Sequence, residues 1–142
     1  MAAAVVTCPG CGTRNRVRPN PSAVPRCAKC GQRLPWAVDA GEDDFAEEVR
    51  APVPVVLDLW APWCGPCRMV SPLLDRLAAD HAGAVKVVRV NIDEAPGLAQ
   101  RFRALSIPTM VVLRDGVEID RIVGADPRLA DRIAPHLADA AP

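Results

Sequence analysis

From Leu34 onward the apolar residues alternate between two spacings, and each change of spacing marks an element. Val53 to Trp60 is a β-rich apolar run interrupted only by Pro54 and Asp58, the pattern of a central strand covered on both faces. After it, Val70, Leu73, Leu74, Leu77 and Ala78 recur at three- and four-residue steps, which predicts a helix with one face against a sheet. Pro72 lies inside that helix, where it removes the bond to the Arg68 carbonyl and predicts a kink beyond the first turn. Val85 to Asn91 is read as a further strand, and Pro96 to Arg103 as a short helix with Leu98 and Phe102 inward. Thr109 to Arg114 and Val117 to Val123 are strands joined at Asp115-Gly116, a dipeptide of tight hairpins, so they run antiparallel. Upstream, Trp36 to Val38 is a short first strand, and Asp43 to Val49 a short helix opened by an aspartate cap. Asp126-Pro127 starts a last helix whose Leu129, Ile133 and Leu137 share a face, with Pro135 bending or ending it early. The result is an α/β unit, a mixed sheet with helices on both faces. Its crossover-linked strand pair flanks the helix that begins at Cys64.

The first 35 residues lack this rhythm. Two matching knuckles, Cys8-Pro9-Gly10-Cys11-Gly12 and Cys27-Ala28-Lys29-Cys30-Gly31, stand fifteen residues apart, a spacing that fits a four-cysteine zinc site. In each, a glycine follows the second cysteine, where a positive φ lets the backbone curl around a metal-bound sulfur. The loop between them carries Pro19, Pro21 and Pro25 and almost no apolar periodicity, so this stretch cannot offset its chain entropy unaided. Bound metal supplies the missing folding energy in this reading. Two local disulfides, or four free thiols in a disordered arm, are the alternatives. Cys8, Cys11, Cys27 and Cys30 are the expected ligands of one structural zinc, a set that leaves no coordination position open for catalysis.

At 142 residues, half of them hydrophobic, the chain can bury one proper core and carry a small appendage. The division expected is a zinc ribbon over residues 1–35 and an α/β domain over 36–142. Net charge is zero, yet residues 1 to 36 hold six basic side chains and no acid, while the remaining 106 hold 11 basic and 17 acidic groups. Met1 to Thr7 lacks the basic lead and apolar length of a signal peptide, and no apolar run approaches the ~20 residues of a membrane span. A cytoplasmic protein with no membrane partner is the expectation. In that reducing compartment, six cysteines are metal ligands or catalytic thiols before they are structural disulfides.

The remaining two cysteines carry the chemistry. Cys64-Gly65-Pro66-Cys67 follows an apolar strand and opens a helix, so Cys64 sits where unpaired N–H groups and the positive end of the helix dipole stabilise a thiolate. Cys67, one turn along, is deeper and shielded, and can close a disulfide with Cys64. Asp58 is the one acid in its apolar strand, which predicts a buried carboxyl with a raised pKa; a frayed strand end is the alternative. His81 and His136 have no partner motif and are read as surface or packing residues.

Trp63-Cys64-Gly65-Pro66-Cys67, the aspartate six residues upstream, the proline within the helix and the later Ile107-Pro108-Thr109 together resemble the thioredoxin family over residues 36–142. The four-cysteine ribbon is similar to that of zinc-bearing bacterial cytosolic members. The resemblance implies a thioredoxin fold and a protein-disulfide reductase with no organic cofactor. Cys64 would be the attacking thiolate, Cys67 the resolving thiol, and Asp58 the acceptor of the Cys67 proton. By the same resemblance Pro108 is a cis proline, and Trp63, Gly65, Pro66, Ile107 and Gly124 join it in an apolar collar for a partner chain; core packing is the other reading of Trp63. Trp60 is read as packing support. Disulfide-containing proteins and an NADPH-fed thioredoxin reductase are the implied partners of a monomer. Arg89 stands where the family usually has lysine, and an arginine there is expected to hold Asp58 more firmly ionised than a lysine would and to weaken it as a proton acceptor. Pro62 replaces a common acidic residue.

Two competing readings follow from the same residues. A disulfide-forming oxidant of this fold is disfavoured by the missing export signal and the Gly-Pro between the thiols. A binding module would dock its basic ribbon on nucleic acid or an acidic protein. Zinc with four thiolates carries −2 and reduces the ribbon's +6 to about +4, and the ribbon lacks aromatics for base stacking, so nucleic acid is not the expected partner.

Overall fold

The computed structural model describes residues 4–137. Its larger sheet is built from β3 (Ala37–Asp39), β4 (Val55–Trp60), β5 (Lys86–Asn91), β6 (Thr109–Arg114) and β7 (Val117–Val123), in the order β3-β5-β4-β6-β7. β3, β5 and β4 run parallel, whereas β6 and β7 are antiparallel additions. The parallel pair β4 and β5 is joined through α2 (Gly65–Asp80), the expected crossover. Asp115 and Gly116 both take positive φ, 52° and 78°, as a tight hairpin of this hand requires.

Each face of the sheet has its own apolar layer. On one side Val56, Val87, Met110, Val112 and Ile122 meet Val70, Leu74, Leu77 and Ala78 of α2, with Leu129 and Ile133 of α4 (Leu129–Ile133). On the other, Val55, Leu57, Leu59, Val88, Val90 and Val111 pack with Phe45 of α1 (Phe45–Glu48) and Leu98 of α3 (Pro96–Arg101). Phe102, half-buried, meets Phe45 edge to face at 5.6 Å between ring centres. The strand through Asp58 is therefore covered on both sides.

The knuckle unit is more regular than its sequence suggests. A small antiparallel sheet, β1 (Ala4–Thr7) with β2 (Arg14–Val17), crosses the first knuckle. Cys8, Val17, Val24, Cys27, Leu34 and Trp36 belong to the same buried cluster as Leu57 and Val88. The unit thus shares the core of the sheet face it covers.

Several boundaries differ from expectation for local reasons. The first strand is shifted by one residue, to Ala37–Asp39. Asp43 does not cap α1: Asp44 is the N-cap residue and makes no cap bond, because its Oδ1 accepts the Gly41 N–H at 2.8 Å. α3 stops at Arg101, and Arg103 turns to φ 52°. α4 begins at Leu129, since Asp126 Oδ1 accepts the Arg128 N–H and spends the first two residues on a turn. Pro135 falls in a single 3₁₀ turn, Ala134–His136, and ends the α-helix early, as predicted. α2, by contrast, continues through Pro72 to Asp80.

Candidate functional site

β4 ends at Trp60, and a short turn delivers Cys64 as the N-cap of α2 with Pro66 in the first helical turn. That proline suits a position whose N–H has no helical acceptor, and its fixed φ is already helical. Cys64 and Cys67 are joined by a disulfide, with Cα atoms 5.3 Å apart. Cys64 Sγ accepts the Cys67 N–H at 3.2 Å. This bond acts on one sulfur alone, and a negative charge on it would be stabilised by the same donor. Shielding does not separate the two as predicted, for each residue is 4% exposed; what distinguishes them is place in the helix terminus.

Around the disulfide, Ala61 is buried with it and Trp60, Ile92 and Ile107 pack against it. The Ile107–Pro108 peptide is cis, and the Pro108 carbonyl accepts the Gly124 N–H at 2.8 Å, with Gly124 at φ 94°. Gly65 and Pro66 are exposed. Trp63 is 67% exposed, which removes the core-packing reading. Its indole N–H donates to Asp93, 3.1 Å to the nearer oxygen, so the ring is held at the surface. Asp93 went unread in sequence, although its place just past β5, at the sheet end that carries Cys64, was a usable signal.

Asp58 lies behind the disulfide. It lines a cavity of about 160 Å³ with Cys67, Ser71 and Arg89, room for a few water molecules. Burial pushes its carboxyl up to about 7, against the opposing charge of Arg89, and Oδ1 has no hydrogen-bond partner among the described residues. The strand-end alternative is thereby excluded. The Arg89 charge does lower the Asp58 pKa, as expected, but by less than burial raises it. Arg89 Nε stands 3.9 Å from Asp58 Oδ2, beyond hydrogen-bond reach, while its Nη2 is 2.6 Å from Asp75 Oδ1 and donates to the Ser71 carbonyl at 3.1 Å. Desolvation outweighs a cation that points elsewhere.

A second constellation lies in the knuckles. The sulfurs of Cys8, Cys11, Cys27 and Cys30 all fall within 4.8 Å of one another, with Cys8 to Cys30 at 3.6 Å and Cys11 to Cys27 at 3.5 Å. The two knuckles repeat one geometry. The N–H of Gly12 bonds the Cys8 carbonyl and that of Gly31 the Cys27 carbonyl, each at 2.9 Å, with the glycines at φ 77° and 78°. A hydrogen bond from the Cys30 N–H, against the effect of burial and aided by the Lys29 N–H, brings the Cys27 thiol down to about 6. Four sulfurs this close together can hold a metal ion. Asn15, overlooked as a polar strand residue, is buried and bridges the knuckles by accepting the Ala28 N–H.

Comparison with known proteins agrees with this geometry. Residues 37–138 match the family model described as Thioredoxin, which begins after the second knuckle. Thioredoxin 1 of Synechococcus elongatus is 47% identical over 96 residues, covering 66% of this chain and 90% of that protein. Thioredoxin 1 of a Nostoc species is 43% identical over 104 residues, 71% of this chain and 97% of the relative. The solved thioredoxin of Malassezia sympodialis superposes with a TM-score of 0.64 at 34% identity, over 71% of this chain and 90% of its own.

Proposed function

The chain belongs to the thioredoxin family and is a dithiol–disulfide oxidoreductase acting through Cys64 and Cys67; from that premise we propose that it works as a protein-disulfide reductase in which Cys64 attacks and Cys67 resolves. The observation that supports this order is the Cys67 N–H donated to Cys64 Sγ at the start of α2. The Cys64 thiolate attacks one sulfur of a substrate disulfide, forming a mixed disulfide and expelling the other sulfur as a thiolate. Cys67 then loses its proton to Asp58 and attacks Cys64 Sγ, which forms the internal disulfide and releases the second substrate thiolate. Two electrons pass from the dithiol to the substrate, and the proton on Asp58 returns to solvent. An incoming strand lies over Trp63, Gly65, Pro66, Ile107, Pro108 and Gly124. An NADPH-dependent thioredoxin reductase returns the two electrons.

In this reading the residues 1–35 form a ribbon around one zinc ion, ahead of the domain at 36–142. A tetrahedral zinc with Zn–S of about 2.3 Å sets sulfurs ~3.8 Å apart, close to the shorter separations among Cys8, Cys11, Cys27 and Cys30. Among the described residues no helix is long and apolar enough to cross a membrane, and we assign the protein to the cytoplasm as a monomer. Insulin-disulfide reduction tests the cysteine roles: Cys64→Ser abolishes turnover, whereas Cys67→Ser accumulates mixed disulfides, and turnover retained in both refutes the assignment. Reduced protein is expected to carry one zinc and two alkylatable cysteines, Cys64 and Cys67.

A further inference from the structure

Asp58 and Arg89 are register partners on the adjacent parallel strands β4 and β5, and β6 sets Met110 opposite Asp58. An arginine and a carboxylate so placed ordinarily close a two-bond fork with N–O distances of about 2.8 Å. Here they do not. The guanidinium is turned toward α2, where Asp75 Oδ1 and the Ser71 carbonyl take Nη2. Arg89 Nε and Asp58 Oδ1 are both buried and lack partners among the described residues. The other charged or titratable groups nearby are Cys67 and Arg68 from α2, on the Asp58 cavity, and Asp39, Asp44 and Glu94, which line an adjoining cavity with Arg89. Of the acids near Arg89, Asp75 alone is bonded to its guanidinium. Its side chain is 64% exposed, so it can be replaced without opening the core.

We propose that Asp75 is a positioning residue for the redox site: it anchors the Arg89 guanidinium at the rim of α2, holds its Nε at 3.9 Å from Asp58 Oδ2, and so prevents that cation from closing a hydrogen-bonded fork on the carboxylate. The inference rests on the reading of Asp58 as proton acceptor. A carboxylate hydrogen-bonded to arginine is a weaker base toward the Cys67 thiol, whereas a buried one free of such bonds remains able to take its proton.

The test is a double-mutant cycle on the oxidised full chain, following the Asp58 carboxyl by NMR across pH, with insulin reduction profiled against pH in parallel. Asp75→Ala lowers the Asp58 midpoint by roughly one unit and moves the acidic limb of the rate profile the same way. In an Arg89→Met background, Asp75→Ala leaves the midpoint in place. An unmoved midpoint in Asp75→Ala overturns the proposal. So does an equal shift with and without Arg89, which would mean direct through-space action of the Asp75 charge. A shift that depends on Arg89 without any change in the rate profile upholds the anchor and refutes the proton-acceptor role of Asp58.

Discussion

Asn15, on the strand that leaves the first knuckle, accepts the backbone N–H of Ala28 in the second at 2.9 Å and donates to the Thr13 carbonyl at 3.1 Å. One buried amide thereby helps to fix the separation of the two cysteine loops. Asn15→Ala removes the acceptor of the Ala28 N–H, a loss of about 0.5–1.5 kcal/mol. The expected result is faster loss of zinc to a competing chelator, followed by a colorimetric metal indicator, with Cys8, Cys11, Cys27 and Cys30 all still present. Equal release rates in the variant and the parent would remove Asn15 from the metal site's support.

Asp58 makes stability depend on pH in a direction opposite to an ordinary carboxylate. Burial raises it to about 7 in the folded protein, so the folded chain keeps a proton that the unfolded chain releases above ~3.9. Stability from this group is complete below that lower value and is lost as pH rises to about 7, a change of about 4 kcal/mol. Urea unfolding of the oxidised protein across this window gives a falling curve, and Asp58→Asn flattens it.

Lys86 Nζ and Glu48 Oε1 form an ion pair at 2.7 Å with almost no solvent access, and the same ammonium lies 4.4 Å from the centre of the Trp36 ring. Burial lowers the Lys86 pKa, and Glu48 acts against that. Glu48→Gln strands the cation and costs about 3 kcal/mol at neutral pH. With a folded value below its unfolded ~10.4, the lysine penalises the folded state until it deprotonates. Denaturation of Glu48→Gln therefore shows recovery of stability as pH climbs toward ~10, a trend that neutral packing loss would not give.

The strands and the redox turn were legible because their signals are local. Apolar runs mark β4 to β6, Asp115-Gly116 marks the hairpin, and Cys64-Gly65-Pro66-Cys67 announces itself at a strand-to-helix junction. The β1–β2 sheet was not legible, since Ala4–Thr7 and Arg14–Val17 are four residues each and the buried face of β2 is Asn15 and Val17. A polar residue satisfied by a backbone group thirteen positions away carries no periodic signature. The direction of Arg89 was not legible for a related reason: strand register sets it beside Asp58, but the competing acceptors come from α2, fourteen and eighteen residues distant. Exposure of the two reactive sulfurs was misjudged because helix position orders their donors without ordering their solvent access.

The proposed order of attack requires that the two thiols of the reduced protein differ in acidity, one lying at the end of α2 and the other within it. Alkylation rates for Cys64 and Cys67, resolved by mass spectrometry and measured across pH, test it most directly. Cys64 is expected to react first, with a midpoint clearly below the ~8.5 of a free cysteine, and Cys67 to stay protonated beyond that value. Equal rates with a shared midpoint near ~8.5, or earlier reaction at Cys67, would contradict it.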